Sequence, residues 1–337
     1  MVHVVSENVI NIYLAKNRSS MFSLHIFISC FLFTSTSQEN EEVNERPVIG
    51  VAVMKITDEK LIQTYPALVG KHYVPASYVK LIEMTGARLV PISPKMATDT
   101  VEYIFNSVNG LLFAGEGDDL NDSGYYNLTK KLFEFSIIDN KNGAVVPLLG
   151  IGSGFQALVL HVEGNKSPFI VTDSYDYSTT VNWNVNEMKN HSFLSSMPKE
   201  MIRDCEKQPI TAHFHKYSVA SQCFKRSAKL NRFFKVLGTS SDRNGKEFVS
   251  AIEGKKFPFY GIQFHPEKTM FEWSTAISIP HSPQAVQLSQ FIANSFMEQV
   301  RRNKRHFSNS FSEGEYLIEK YHVLRTNNTD SHPFRVI

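Results

Sequence analysis

The segment Pro147-Leu148-Leu149-Gly150-Ile151-Gly152-Ser153-Gly154-Phe155-Gln156 constrains the fold of this chain more than any other. An apolar run, a turn of alternating glycines and a second apolar run read as strand, sharp turn and helix. Glycine allows such a turn backbone angles that other residues avoid. A strand passing directly into a helix belongs to an α/β architecture, in which a mostly parallel sheet carries helices on both faces. The free N–H groups at the helix start can then meet a developing oxyanion. In a nucleophile elbow the centre of the turn carries the reacting side chain. Here that position is Gly152.

The surrounding sequence alternates in the same way. Strands are expected at 48–53, 88–92, 111–113 and 145–149, and helices at 75–84, around the stripe Val101, Ile104, Phe105 and Val108, at 128–138 and at 155–161. Such sheets bind ligands at the carboxyl ends of their strands, which directs attention to the loops 114–117 and 150–154. The second half is less regular. Strands at 248–253 and 259–264 flank a turn at Gly254-Lys255-Lys256, and Ala285, Leu288, Phe291, Ile292, Ser295 and Phe296 form a helical face. One domain is expected over 46–300, followed by a peripheral tail over 301–337.

The chain has 337 residues, enough to bury a core without disulfide or metal staples. Its net charge is +2, with no broad basic field to draw nucleic acid or an anionic membrane. The run from Met21 through Phe33, followed by Thr34-Ser35-Thr36-Ser37, has the pattern of a signal peptide over 1–37, with translation starting at Met1 or Met21. It is too short for a stable membrane span. Secretion or delivery to a lysosomal or vacuolar lumen is the expectation. Sequons at Asn121, Asn127, Asn165, Asn190 and Asn327 fit a glycoprotein. Beyond Cys30 the only cysteines are Cys205 and Cys223, which form a disulfide or remain two thiols.

A second constellation is Gln263-Phe264-His265-Pro266-Glu267, just past a strand end. A histidine there can take a proton from a nucleophile, and a carboxylate can hold its tautomer. Alone the triplet reads as a surface turn; with the elbow it reads as a catalytic pair. Ser153 is the alternative nucleophile, but it lacks the outer glycines of the serine elbow, and its hydroxyl is expected to cap the helix instead. A dinucleotide turn would need glycine where Phe155 stands. His213 and His215 with His265 and Glu267 lack a metal-ligand spacing.

The ordered set Arg46-Pro47-Val48-Ile49-Gly50, Tyr73 to Lys80, Gly86-Ala87-Arg88, Asn109 to Phe113, Phe214-His215-Lys216-Tyr217, Gln263 to Lys268 and Glu272-Trp273 resembles the folate gamma-glutamyl hydrolase family, cysteine peptidases of the glutamine-amidotransferase-like group. The resemblance covers nearly all of the chain after the signal. It implies a three-layer α/β fold of the class I glutamine-amidotransferase type, neither cofactor nor metal, and folyl or other gamma-glutamyl peptides as ligands. A homodimer is a further expectation. The family elbow has the form Gly-x-Cys-x-Gly-Phe, so Gly152 falls on the cysteine, while His265 and Glu267 fall on the catalytic His and Glu. His215 falls on a further active-site histidine. Gly115 and Ser153 fall where substrate and oxyanion are held. The family has Phe-Pro-Gly-Gly where this chain has Phe113-Ala114-Gly115-Glu116, which brings a carboxylate towards the oxyanion site. Both departures imply impaired hydrolysis.

Overall fold

The apolar runs become strands β1 (Val48–Ala52), β2 (Arg88–Ile92), β3 (Gly110–Phe113) and β4 (Leu148–Ile151). They are followed by β5 (Phe169–Thr179), β6 (Thr211–Val219), β7 (Phe234–Ser241), β8 (Glu247–Gly254) and β9 (Phe259–Ile262). The computed structural model describes residues 43–115, 120, 124–164, 168–189, 192–274, 276–325 and 334–337. The expected signal at 1–37, Glu116 and the sequons at Asn121, Asn165, Asn190 and Asn327 lie outside these residues. Asn127 is exposed on a helix.

One sheet runs β2-β1-β3-β4-β9-β8-β7 and ends on the short strand Asn182–Trp183. The first five strands are parallel, and the rest add antiparallel. Successive side chains of a strand point to opposite faces, and the core divides accordingly. Ile49, Val51, Leu112, Leu149 and Ile151 join helices α1 (Ala76–Glu83) and, late in the chain, Pro283–Val300. Val48, Ala52, Leu111, Phe113 and Leu148 join α2 (Thr98–Ser107), α3 (Gly124–Lys141) and α4 (Ser153–Glu163) on the other side. This is the expected three-layer α/β arrangement. Each fully buried Leu, Ile or Phe contributes about 1.5–3 kcal/mol, so the two apolar layers dominate its stability. The remaining helices used below are α5 (Pro266–Phe271) and α6, the Pro283–Val300 helix. Ser282 accepts from the Ala285 N–H and Pro283 opens the first turn, which fixes where α6 begins. Among the described residues no helix is long and apolar enough to cross a membrane.

Three features differ from the sequence reading. β5 and β6 pair antiparallel as a two-stranded ribbon where no strand was expected, because Thr172-Asp173-Ser174 breaks the apolar pattern and the register shifts on both sides of Ser174. β7 was likewise not anticipated. The tail beyond Val300 is not peripheral. Phe307 and Ile318 are buried, and Asn109 donates to the carbonyls of Asn303 and Arg305. The strand Phe334–Val336 pairs with His72–Pro75 in a small antiparallel sheet with Met54–Lys55 and Val323–Leu324. The tail's polar composition hid these few apolar anchors.

Candidate active site

The parallel strands β3, β4 and β9 lie side by side, so the residues following each of them converge at one end of the sheet. They are Ala114-Gly115, Gly152-Ser153 and Gln263-Phe264-His265. The Gly152 N–H donates to the Ile262 carbonyl at 2.9 Å, extending the β4–β9 ladder into the turn. A cleft of about 500 Å³ opens there, lined by Gly115, Gly152, Ser153, His215, His265 and Lys268, among others.

Gly152 is the N-cap of α4 with φ 58° and ψ −114°. A side chain at this φ is strained, yet this is the strained turn that a nucleophile elbow requires. The turn thus has the shape of an elbow with a glycine at its centre. The space a side chain would enter is also filled. A Cβ built on Gly152 would stand 2.7 Å from His265 Cε1, 2.9 Å from His265 Nε2 and 2.8 Å from the Gly115 carbonyl oxygen. Gly115 in turn lies so near the N–H groups of Ser153 and Gly154 that no side chain fits at that position either.

His265 caps α5 and is buried, and Glu267 is fully buried within the first turn of α5. His265 Nδ1 lies 2.7 Å from Glu267 Oε1. A carboxylate oxygen accepts, so Nδ1 donates to Glu267 and Nε2 is the nitrogen not engaged by it. Glu267 Oε2 has no hydrogen-bond partner among the described residues, so the carboxylate is committed to this one contact. The Tyr78 hydroxyl sits 3.3 Å from Nδ1, donates to the Gly115 carbonyl at 3.1 Å and accepts the Gly115 N–H at 3.2 Å. Tyr78 thus fastens the loop after β3 to the base. In the sequence Tyr78 lies within the expected 75–84 helix and the Tyr73 to Lys80 motif, and no hydrogen-bonding role was assigned to it.

The opposite wall carries Lys268 and Glu272, 2.8 Å apart, with the Ser77 hydroxyl donating to Glu272 at 2.6 Å. The Lys268 ammonium lies 5.3 Å from the Phe214 ring centroid. Lys268, Glu272 and Ser77 all fall within the ordered motifs quoted from the sequence, but no role was assigned to them there. His215 reaches the cleft from β6, but its ring nitrogens face His213 and Ser218. Burial, followed by the neighbouring His265, pushes its pKa down to about 3, so it is neutral. His213 is fully buried, and burial, then His215 and His265, hold its pKa well below the ordinary histidine value.

Ser153 lines the cleft, but no hydrogen bond joins it to His265, and it does not cap α4. That expectation fails because the turn places Gly152 at the cap and Ser153 one residue inside the helix. Cys205 and Cys223 are both free thiols, and neither lines the cleft. Burial pushes the Cys205 thiol up to about 11, far from a reactive thiolate.

A glycine elbow at the end of a parallel strand, faced by a buried His–Glu pair, defines a hydrolase scaffold of cysteine-peptidase type. The family model for peptidase C26 matches residues 47–267, and the chain belongs to that family. Gamma-glutamyl hydrolase of Homo sapiens is 34% identical over 296 residues, covering 88% of this chain and 90% of that protein. The enzyme of the same name from Mus musculus is 36% identical over 289 residues, covering 86% and 88%. Gamma-glutamyl hydrolase B of Dictyostelium discoideum is 31% identical over 314 residues, covering 91% and 86%. The chain is thus a gamma-glutamyl hydrolase-like protein, as its ordered motifs implied.

Proposed function

We propose that this chain binds gamma-glutamyl peptides, folyl polyglutamates among them, in the cleft above β3, β4 and β9, and does not cleave them through a thioester. The observation carrying this reading is Gly152, which holds the elbow's strained turn while His265 and the Gly115 carbonyl fill the place of a side chain. Without a thiol at the elbow no thioester forms there, and a unit of this kind without its nucleophile lacks most of its rate enhancement. His265, Glu267 and Gly152 are the residues to which the hydrolytic roles would fall, with Gly115, Ser153 and His215 along the ligand path. Secretion or lumenal delivery by the 1–37 signal, glycosylation and a homodimer belong to the same reading.

The intact His265–Glu267 contact at 2.7 Å favours a second reading, residual hydrolysis by a water that His265 Nε2 deprotonates. Purified protein incubated with a pteroyl polyglutamate separates the two. The first reading expects a ligand-induced rise in melting temperature without glutamate release. Release that survives thiol alkylation and disappears in His265→Ala would establish the second.

A further inference from the structure

Behind the cleft wall a line of buried hydroxyls and imidazoles runs from β5 across β6. Thr172 Oγ1 lies 2.7 Å from Ser218 Oγ, Ser218 Oγ 2.9 Å from His215 Nδ1, and His215 Nε2 2.9 Å from His213 Nδ1. His213 Nε2 lies 3.1 Å from Thr211 Oγ1, and the Thr211 hydroxyl donates to the Thr179 carbonyl at 2.7 Å. That last bond fixes the direction of the rest. The single Thr211 proton is spent on the carbonyl, so Thr211 Oγ1 accepts from His213 Nε2–H. A neutral His213 then has a bare Nδ1, which accepts from His215 Nε2–H. The bare Nδ1 of His215 accepts from Ser218, and Ser218 accepts from Thr172. One arrangement of protons satisfies the whole line, and it places both histidines in the Nε2–H tautomer.

We propose that His213 is a positioning residue for the cleft. It locks His215 into a single tautomer with both ring nitrogens spent inside the protein, so that a ligand meets carbon atoms of His215 and no N–H or lone pair. A proton added to either ring would set two N–H groups against each other between His213 and His215, or against the Ser218 proton. The surroundings offer no counter-charge. Phe248 of β8 packs on both rings, Phe264 packs on His213, and Tyr177 and Ser174 of β5 lie opposite the two histidines in register. The titratable neighbour is His265, itself held by Glu267, and the backbone of Tyr217 gives His215 a hydrogen bond that favours the protonated ring but is outweighed by burial. Burial of an imidazole away from any anion favours its neutral form. His215 is therefore a shape-determining wall, in contrast to the substrate contact its position in the family implies.

The test is nitrogen-15 NMR of the histidine rings in the ligand-free full chain, with two variants. In the unchanged protein, His213 and His215 are expected to show one protonated Nε2 and one bare Nδ1 each, unaltered between pH 7.5 and 5. His213→Asn offers Oδ1 as the acceptor for His215 Nε2–H and should preserve the His215 signature. His213→Leu removes the acceptor, so the buried Nε2–H of His215 loses its partner, and His215 should shift towards the Nδ1–H tautomer, with Ser218 turning to accept. An Nδ1–H tautomer or an ordinary midpoint at His215 in the unchanged protein, or a His215 signature indifferent to both variants, would overturn the assignment. If His213→Leu does not fold, the unchanged protein and His213→Asn still decide the matter. Calorimetric titration with gamma-glutamylglutamate supplies a second readout, which rests on the proposed function. Affinity should change in His213→Leu and be preserved in His213→Asn, and equal affinities in all three forms would count against the positioning role. An absence of binding in every form contradicts the proposed function and leaves the tautomer assignment to the NMR.

Discussion

At Gly152 there is no empty space for a side chain. The imidazole of His265 and the Gly115 carbonyl stand where a Cβ would be, and Tyr78 ties that carbonyl to the base. Introducing a side chain therefore has a cost. Gly152→Ala and Gly152→Cys should each destabilise the protein by about 2–4 kcal/mol, combining the strain of a left-handed residue with overpacking. A shift of the urea midpoint measures this, and an unchanged midpoint would mean that the site is open to a thiol. Tyr78→Phe should cost about 1–2 kcal/mol by leaving the Gly115 N–H unpaired, with faster amide exchange at Gly115 as its local sign. Gly152, His265 and Glu267 were legible in the sequence because glycine spacing after an apolar run, and a carboxylate two residues beyond a histidine, each have few physical readings. The roles of Tyr78, Ser77 and Glu272 were not. Their partners lie far away in the chain, and nothing local in a helical stretch says that a hydroxyl turns towards the site.

Between elements, the parallel strands were the readable part, since β1 to β4 are apolar and buried on both faces. The ribbon β5–β6 was not, because its bulged, polar strand carries no period-two pattern, and with it the pairing of His213 with His215 stayed hidden. The small sheet is a second case. Its strand Phe334–Val336 comes from a polar tail, yet Phe334 packs edge-on against Tyr73 at 5.5 Å and lines the cleft. Phe334→Ala should cost about 3 kcal/mol and act locally. Hydrogen exchange would show it as lost protection in the amides of His72–Pro75, with β1, β3 and β4 unaffected. Loss of protection across the whole sheet would contradict this local role.

For the whole molecule, the buried neutral histidines link stability to acid. His215 is held at about 3 in the folded protein, against about 6.5 when unfolded, so below pH 6.5 the unfolded chain binds more protons. Folding stability should therefore fall as pH drops from 6.5 towards 3, by about 1.4 kcal/mol per pH unit for each such histidine. Denaturant titrations at stepped pH values measure it, and a flat profile would place both imidazoles in contact with water. Reducing agent should leave the melting temperature unchanged, because Cys205 and Cys223 are not bonded to each other. The central claim is the proposed function of the cleft: binding of gamma-glutamyl peptides without cleavage through a thiol. The most direct measurement is a calorimetric titration with a pteroyl polyglutamate, followed by chromatography of the same sample. Saturable binding with the peptide recovered intact is the predicted result. Shortened peptide, produced at a rate that thiol alkylation leaves unchanged and His265→Ala abolishes, would contradict it.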